Sequence, residues 1–105
     1  MPTIRRLQFR IDLISIATEL AEVDEELSFR FIDRVNEAVS LIERLPGIGE
    51  PSRISNPLWK GVRRHFIKRF RKYVLYYREL DEGIELLRLV HGRRNPSEIL
   101  GEDDN

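Results

Sequence analysis

Apolar residues in the first half of the chain recur every three or four positions, the spacing of one face of an α-helix. The clearest run follows three acids at positions 24–26 and stops before Pro46-Gly47. Its apolar positions are Leu27, Phe31, Val35, Ala38, Ile42 and Leu45. Acid at the start complements the helix dipole and Pro-Gly ends the periodicity, so the pattern predicts one helix of about five turns.

The segment before this helix shows two patterns in succession. Residues 4–11 alternate loosely between apolar and polar side chains, which predicts a strand. Asp12 is then expected to be the N-cap of a first helix, because its carboxylate can accept hydrogen bonds from the free N–H groups of a first turn. The apolar positions 13, 16, 17 and 20 follow with helical spacing, so this helix is predicted to run to about residue 23.

Three segments of the second half are rich in β-branched and aromatic residues and are predicted to be strands: residues 62–67, 73–79 and 84–91. Residues 47–57, with two Gly and two Pro, form the loop before them. Residues 81–83 are predicted to form a tight hairpin turn in which Gly83 adopts a positive φ. A short helical turn is expected at residues 97–100.

These elements predict an α+β fold with the order β-α-α-β-β-β. Consecutive strands joined by short turns pair antiparallel, so the prediction is an antiparallel sheet backed by a helical hairpin. The helices must bury their apolar stripes on one face of that sheet. Residues 1–100 are predicted to form a single domain, and residues 101–105 a disordered tail.

The charge of the chain is unevenly distributed, although the formal net charge is zero. Residues 1–50 carry 6 Arg and 10 Asp or Glu, a net charge of −4, and residues 51–105 carry 12 Arg or Lys and 8 Asp or Glu, a net charge of +4. All 12 of those bases lie in residues 53–94 with only 4 acids, which gives that window a net charge of +8. Such a field attracts anionic partners, although a solvated charged face has the same composition.

Composition narrows the function classes further. The absence of cysteine excludes disulfides and thiolate chemistry. No apolar run approaches the ~20 residues of a membrane span, and no signal-peptide pattern follows Met1. We therefore expect a cytoplasmic protein with no membrane partner, no cofactor and no metal.

The candidate functional residues lie in the basic window. Metal-independent RNA cleavage needs a base, an acid and cations that stabilise the phosphorane. His91 is a candidate acid or base, because a histidine side chain titrates near neutrality; the alternative is that it hydrogen-bonds the backbone and packs. Arg88 either stabilises the phosphorane or pairs with an acid such as Glu79 or Glu85.

Four further arginines are candidates for binding phosphate or a protein target, because a guanidinium can bind one anion through two N–H groups. They are Arg63, Arg64, Arg93 and Arg94.

The order of elements and four sequence segments resemble the RelE/ParE toxin superfamily of type II toxin–antitoxin systems. The segments are LPGIG at 45–49, GVRR at 61–64, VLYYR at 74–78 and IELLRLVHGRR at 84–94. The last segment, followed by a short PSEIL tail, is the most specific and is most similar to the ParE branch. The resemblance covers nearly the whole chain.

The resemblance implies a growth-inhibiting toxin of the plasmid-stabilisation type, neutralised by a cognate antitoxin. Members of the RelE branch cleave mRNA on the ribosome, whereas characterised ParE members inhibit DNA gyrase. Several of the ribosome-dependent nucleases carry a Tyr in the C-terminal segment, and no Tyr follows His91 here.

We therefore expect a ParE-like toxin that binds DNA gyrase without altering it chemically. The residues expected to form the functional surface are Arg63, Arg64, His91, Arg93 and Arg94. The antitoxin is expected to be acidic, with an amphipathic segment lying across the hairpin and sheet. The alternative is a ribosome-dependent mRNA endonuclease whose site residues are Arg63, Arg64, Arg88 and His91, with His91 and Arg88 as the catalytic pair. A third interpretation is a basic nucleic-acid-binding module without toxicity.

Overall fold

A computed structural model describes residues 2–100, in which two long helices pack on one face of a five-stranded sheet. The strands are β1 (Thr3–Arg5), β2 (Glu50–Pro51), β3 (Arg63–Ile67), β4 (Phe70–Leu80) and β5 (Gly83–His91). The helices are α1 (Leu7–Val23), α2 (Glu25–Arg44) and the short α3 (Pro96–Ile99). The predicted fold is confirmed, with β2 as an added two-residue strand. The predicted tail at residues 101–105 lies outside the described residues.

The sheet is mixed, with the strand order β1-β5-β4-β3-β2. The consecutive pairs β3–β4 and β4–β5 are antiparallel as predicted, and β2 pairs antiparallel with β3. The first strand instead runs parallel to the last, with Thr3 opposite Ile84. A parallel pair needs a long connection between its strands, and most of the chain lies between β1 and β5.

The predicted boundary between the first strand and the first helix is wrong. The strand ends at Arg5, and α1 begins at Leu7, so Asp12 lies inside the helix rather than at its N-cap. Phe9 is buried and lies four residues before Leu13, on the same helical face. Over so short a segment, alternation and helical spacing share several positions, so the first turns of α1 resemble a strand.

The second helix matches its prediction closely. The carboxylate of Asp24 is the N-cap and accepts a hydrogen bond from the N–H of Glu26 at 3.0 Å. Phe31, Val35 and Ile42 are buried against the sheet. α2 ends at Arg44, immediately before Leu45-Pro46, because proline cannot continue a helix.

Both faces of the sheet are covered, but by different parts of the chain. The helix-side face buries side chains such as Leu75, Tyr77 and Leu86 against α1 and α2. The opposite face, called here the loop-side face, buries Val74 and Tyr76. It is covered by side chains from the loop before β3 and from the end of the described chain: Ile54, Trp59, Ile99 and Leu100. Neither Tyr76 nor Tyr77 is accessible to a partner, because each is at most 2% exposed.

Gly83 was predicted to supply a positive φ, but the structure shows that it instead makes room for the backbone of Pro2. Its φ is not positive; among the described glycines only Gly61 has a positive φ. A Cβ on Gly83 would lie 2.0 Å from the carbonyl oxygen of Pro2. That oxygen accepts a hydrogen bond from the N–H of Ile84 at 2.9 Å. Glycine is therefore required for the close approach of the N-terminal strand.

Candidate target-binding surface

Arg63 and Arg64 are adjacent on β3, so their side chains project to opposite faces of the sheet. Arg63 donates from Nη1 to the carbonyl oxygen of Gly49 at 2.7 Å. Arg64 donates from Nε to Oε1 of Glu50 at 2.8 Å, and this hydrogen bond is the main reason that the pKa of Arg64 is raised. The two arginines therefore hold β2 and the residue before it against the sheet, and they do not form one phosphate clamp.

Arg88 is held by an acid that the sequence did not identify as its partner. Its Nε lies 2.7 Å from Oδ2 of Asp12, and its Nη2 lies 3.1 Å from Oδ1 of the same residue. Its Nη1 donates to the carbonyl oxygen of Ile99. The predicted pairing with Glu79 or Glu85 is therefore wrong. The reason is that α1 starts earlier than expected and brings Asp12 beside β5.

Glu85 is occupied by two other arginines. Its carboxylate, 2% exposed, accepts hydrogen bonds from Arg6 and from Nε of Arg78, the latter at 2.9 Å. The Arg78 guanidinium also lies over the ring of Trp59, 5.2 Å from its centroid. These groups line a groove of about 610 Å³ on the loop-side face. The buried carboxylate of Glu85 thus neutralises Arg6 and Arg78, which come from separate parts of the chain. The alternating pattern along one strand does not predict contacts of this kind.

His91 lies at the end of β5 and accepts a backbone hydrogen bond. Its Nδ1 accepts from the N–H of Arg93 at 3.0 Å, so the proton of the neutral imidazole is on Nε2. Its ring meets the edge of Tyr73 at a centroid distance of 6.0 Å. His91 therefore packs and shapes the turn that follows it.

The structure does not bring His91 and Arg88 together. Arg88 is the cross-strand neighbour of Tyr76, which packs in the loop-side cluster. His91 is the neighbour of Tyr73, which packs against the helix-side cluster. Because directly opposed residues share a face, Arg88 and His91 are on opposite faces of the sheet.

A group of exposed cations lies at the end of the sheet where β3 turns into β4. The N–H of Gly92 donates to the carbonyl oxygen of Lys72 at 2.7 Å, and this bond joins that turn to the segment after β5. We call the group the cationic tip; its members are Lys68, Arg69, Arg71, Lys72, Arg93 and Arg94. The sequence predicts target contact for only the last two. Lys68 and Arg69 lie in the β3–β4 turn, and Arg71 and Lys72 lie in the first residues of β4.

The cations of the tip are not neutralised by neighbouring acids. Within residues 2–100, the five ion pairs use arginines outside the tip. Two tip cations instead lie over aromatic rings. The Arg71 guanidinium is 4.9 Å from the centroid of Phe66, and the Lys72 ammonium is 5.6 Å from the centroid of Tyr73.

The helix α1 carries a second apolar face that nothing in the described chain covers. Leu7, Ile11 and Ile14, spaced as i, i+4 and i+7, are 70%, 47% and 66% exposed. We call them the α1 stripe. The exposed Arg10 lies beside it on the same helix. An apolar face of this kind is typical of a protein-binding site.

His65 occupies a separate groove of about 620 Å³ between α2 and β3, where it lies with Arg34 and Glu37. Burial lowers the pKa of His65, so its ring is neutral at pH 7. Within the described residues, no cluster of three or more His, Asp or Glu is arranged to hold a metal ion. No described helix has the length and apolar character needed to cross a membrane.

Comparison with known proteins gives matches of three kinds. The family model for the ParE toxin of the type II toxin–antitoxin system parDE matches residues 5–96. Two curated relatives, both named toxin ParE2, come from Mycobacterium tuberculosis strains CDC 1551/Oshkosh and H37Rv. Each is 41% identical over 46 residues, which is 44% of this chain and 43% of the relative. The matched region thus spans less than half the length of these relatives.

The third kind is a likeness to solved structures, among them one described as the chromosomal ParDE TA system from P. aeruginosa. It superposes with a TM-score of 0.71, covering 87% of this chain and 95% of the other, at 18% identity. At that identity the likeness concerns the fold.

Proposed function

This chain belongs to the ParE toxin family of type II toxin–antitoxin systems, and we propose that it arrests growth in the cytoplasm by binding DNA gyrase rather than by cutting RNA. The main observation that supports gyrase binding over RNA cleavage is that Arg88 and His91 lie on opposite faces of the sheet. A nuclease would need both groups at one phosphate.

The chemistry of RNA cleavage explains why this separation supports binding over cleavage. An acid and a base must both lie within hydrogen-bond reach of the reacting phosphodiester, and a cation must face the developing charge. The Arg88 guanidinium is paired with Asp12 and donates to a backbone carbonyl, so it is not available to that charge. Tyr76 and Tyr77 are buried and cannot replace a missing acid. These contacts favour inhibition by binding.

The four arginines proposed to bind the target divide into two pairs. Arg93 and Arg94 are exposed, with no ion pair in the described chain, and we assign them direct contact with the complex of gyrase and its DNA. Arg63 and Arg64 are bound to residues 49 and 50, so we assign them a positioning role: they hold the edge of the sheet in place.

The proposed antitoxin-binding site is the α1 stripe. A partner must supply apolar side chains to cover Leu7, Ile11 and Ile14, and acidic groups to meet Arg10 beside them. An acidic amphipathic segment satisfies both requirements. Ile11→Glu should weaken binding of the cognate antitoxin at least about tenfold, because it places a charge in an apolar contact. The matched control is Val23→Glu, since Val23 is exposed on the other side of α1.

The test of the proposed target is a supercoiling assay with purified gyrase and relaxed plasmid. The toxin should inhibit supercoiling, and Arg93→Glu/Arg94→Glu should lose that inhibition. Arg53→Glu/Lys60→Glu is the matched control, because it makes the same change in net charge at two exposed cations in the loop before β3. Unimpaired supercoiling at excess toxin, or cleavage of mRNA on ribosomes by the same preparation, would count against gyrase as the target.

A further inference from the structure

We propose that the cationic tip binds the phosphate backbone of duplex DNA, so that the toxin contacts the DNA held by its target as well as the target itself. This inference extends the proposed function. The choice of DNA over RNA depends on that function, because gyrase is an enzyme that holds DNA. The first observation is that two separate segments build one surface. The hydrogen bond from Gly92 to Lys72 places Arg93 and Arg94 beside the β3–β4 turn.

The backbone of this turn directs the cations outward. The register between β3 and β4 shifts between Phe66 and Ile67, which face Val74 and Phe70 respectively. Residues 71–73 therefore bulge out of the β3–β4 pairing, and a bulge re-aims the side chains that it carries. Arg69 in the same turn has a φ of 71°, a conformation that favours glycine or asparagine over arginine.

The charge of the tip is not cancelled at this end of the hairpin. The acids of the same hairpin, Glu79, Asp81 and Glu82, lie at the other end of β4. The ten-residue span between those ends is about 33 Å at the usual strand rise. Since the Debye length in physiological salt is about 8 Å, those acids do not screen the tip.

On the helix side of this end, acidic charge comes from Glu19 of α1. Burial is the main cause of the raised pKa of Tyr73, and Glu19 is close enough to contribute to it. Arg71, in contrast, lies over Phe66, which packs in the loop-side cluster. Arg71 therefore presents its charge on the loop side, whereas Lys68 lines the groove beside α2. DNA would approach the end of the sheet from the loop side, which Arg71 faces.

The kinds of side chain exposed at the tip indicate which ligand it binds. None of the large apolar side chains exposed in the described chain belongs to residues 68–72 or 92–95, so the tip lacks the apolar core of a protein interface. The rings of Phe66 and Tyr73 are covered by Arg71 and Lys72, so they offer no platform on which unpaired bases could stack. Exposed Arg and Lys without apolar or stacking contacts match a duplex backbone.

The test is fluorescence anisotropy of a labelled duplex DNA with the free toxin, in the absence of gyrase. We expect affinity to fall steeply between about 50 and 200 mM salt, with a log–log slope near 4 if about four phosphates are neutralised. Arg71→Glu/Arg93→Glu, which changes one cation in each segment of the tip, should weaken binding by about tenfold or more and reduce the slope by about 2.

Arg53→Glu/Lys60→Glu is the control, because it takes the net charge from zero to the same −4. It should change affinity by less than about threefold, since only charges near the phosphates release counterions. Equal losses in both variants, or no binding at about 50 mM salt, would overturn the tip as a DNA site. Tighter binding of single-stranded DNA or of an RNA duplex of the same sequence would overturn the choice of ligand. DNA binding by a toxin that leaves gyrase unaffected would overturn the proposed target alone.

Discussion

Asp12 on α1 holds the guanidinium of Arg88 on β5 by two hydrogen bonds, from Nε at 2.7 Å and from Nη2 at 3.1 Å. The same carboxylate accepts from the backbone N–H of Leu89 at 2.9 Å. β1 pairs with β5 only as far as Leu86, so the edge of β5 is unpaired beyond that point. Asp12 thus takes the place of a neighbouring strand and neutralises an arginine at the same time.

Replacement of Asp12 should be strongly destabilising. Asp12→Ala leaves the Arg88 charge, only 12% exposed, and the Leu89 N–H without their partner. Loss of one member of a buried ion pair costs about 3–5 kcal/mol, so we expect a loss near 3 kcal/mol in urea-induced unfolding. Asp33→Ala, at an exposed acid on α2, should stay within about 0.5 kcal/mol. A loss below about 1 kcal/mol for Asp12→Ala would show that this contact contributes little.

The hydroxyl of Tyr77 connects β4 to the segment before β2. It accepts from the N–H of Gly49 at 2.8 Å and donates to the carbonyl oxygen of Pro46 at 2.7 Å. Tyr77→Phe leaves both backbone groups without this partner and should cost about 1–3 kcal/mol in the free energy of unfolding. Tyr73→Phe removes a hydroxyl for which the structure shows no hydrogen bond, and is the control. Equal stability losses in the two variants would argue against a special role for the Tyr77 hydroxyl.

The stability difference between the wild type and Tyr77→Phe should depend on pH at high pH. Burial raises the pKa of Tyr77 in the folded state. A raised pKa means that the folded state holds its proton more tightly than the unfolded state, whose tyrosine titrates near 10. The stability advantage of the wild type over Tyr77→Phe is therefore fully present below about pH 10 and is lost as pH rises through the folded-state pKa. Urea unfolding at several alkaline pH values should show this narrowing.

Gly83 should not tolerate a side chain. A Cβ there would meet the carbonyl oxygen of Pro2 at 2.0 Å and its carbonyl carbon at 3.0 Å, so β1 must move away from β5. We expect Gly83→Ala to lower the free energy of unfolding by about 2 kcal/mol or more. Gly47→Ala is the comparison, because nothing lies within 4 Å of the Cβ position at Gly47. Hydrogen exchange at Ile84 should accelerate in Gly83→Ala only; unchanged protection there would mean that β1 adapts.

His65 should make the protein sensitive to mild acid. Burial lowers the pKa of its imidazole, so the unfolded state takes up a proton first as the pH falls. The stability linked to His65 is therefore present above about pH 6.5 and is lost as the pH falls through the folded-state pKa. Between pH 7 and 5 the wild type should lose more stability than His65→Gln, and the ring should titrate below 6.5 by NMR. Parallel pH profiles for the two proteins would contradict this assignment.

Local sequence was sufficient for most of the fold. The steps of three and four residues from Leu27 to Ile42 specify a helix, and Pro46 ends it, because helical periodicity and the geometry of proline act over a few residues. The strands of the second half and the order β-α-α-β-β-β follow from local composition in the same way. The local pattern gave a wrong prediction at residues 7–11, which were predicted as strand but begin α1. In so short a segment, helical and alternating spacing share several positions.

The arrangement of the candidate site depended on contacts between residues far apart in sequence. Only the folded chain brings Asp12 to Arg88, places Gly92 beside Lys72, and sends Arg88 and His91 to opposite faces of the sheet. The sequence by itself determined that this region is basic and which residue types it contains. Tertiary structure decided which cations are neutralised and which remain free, because ion pairing depends on distances of a few ångströms across packed elements.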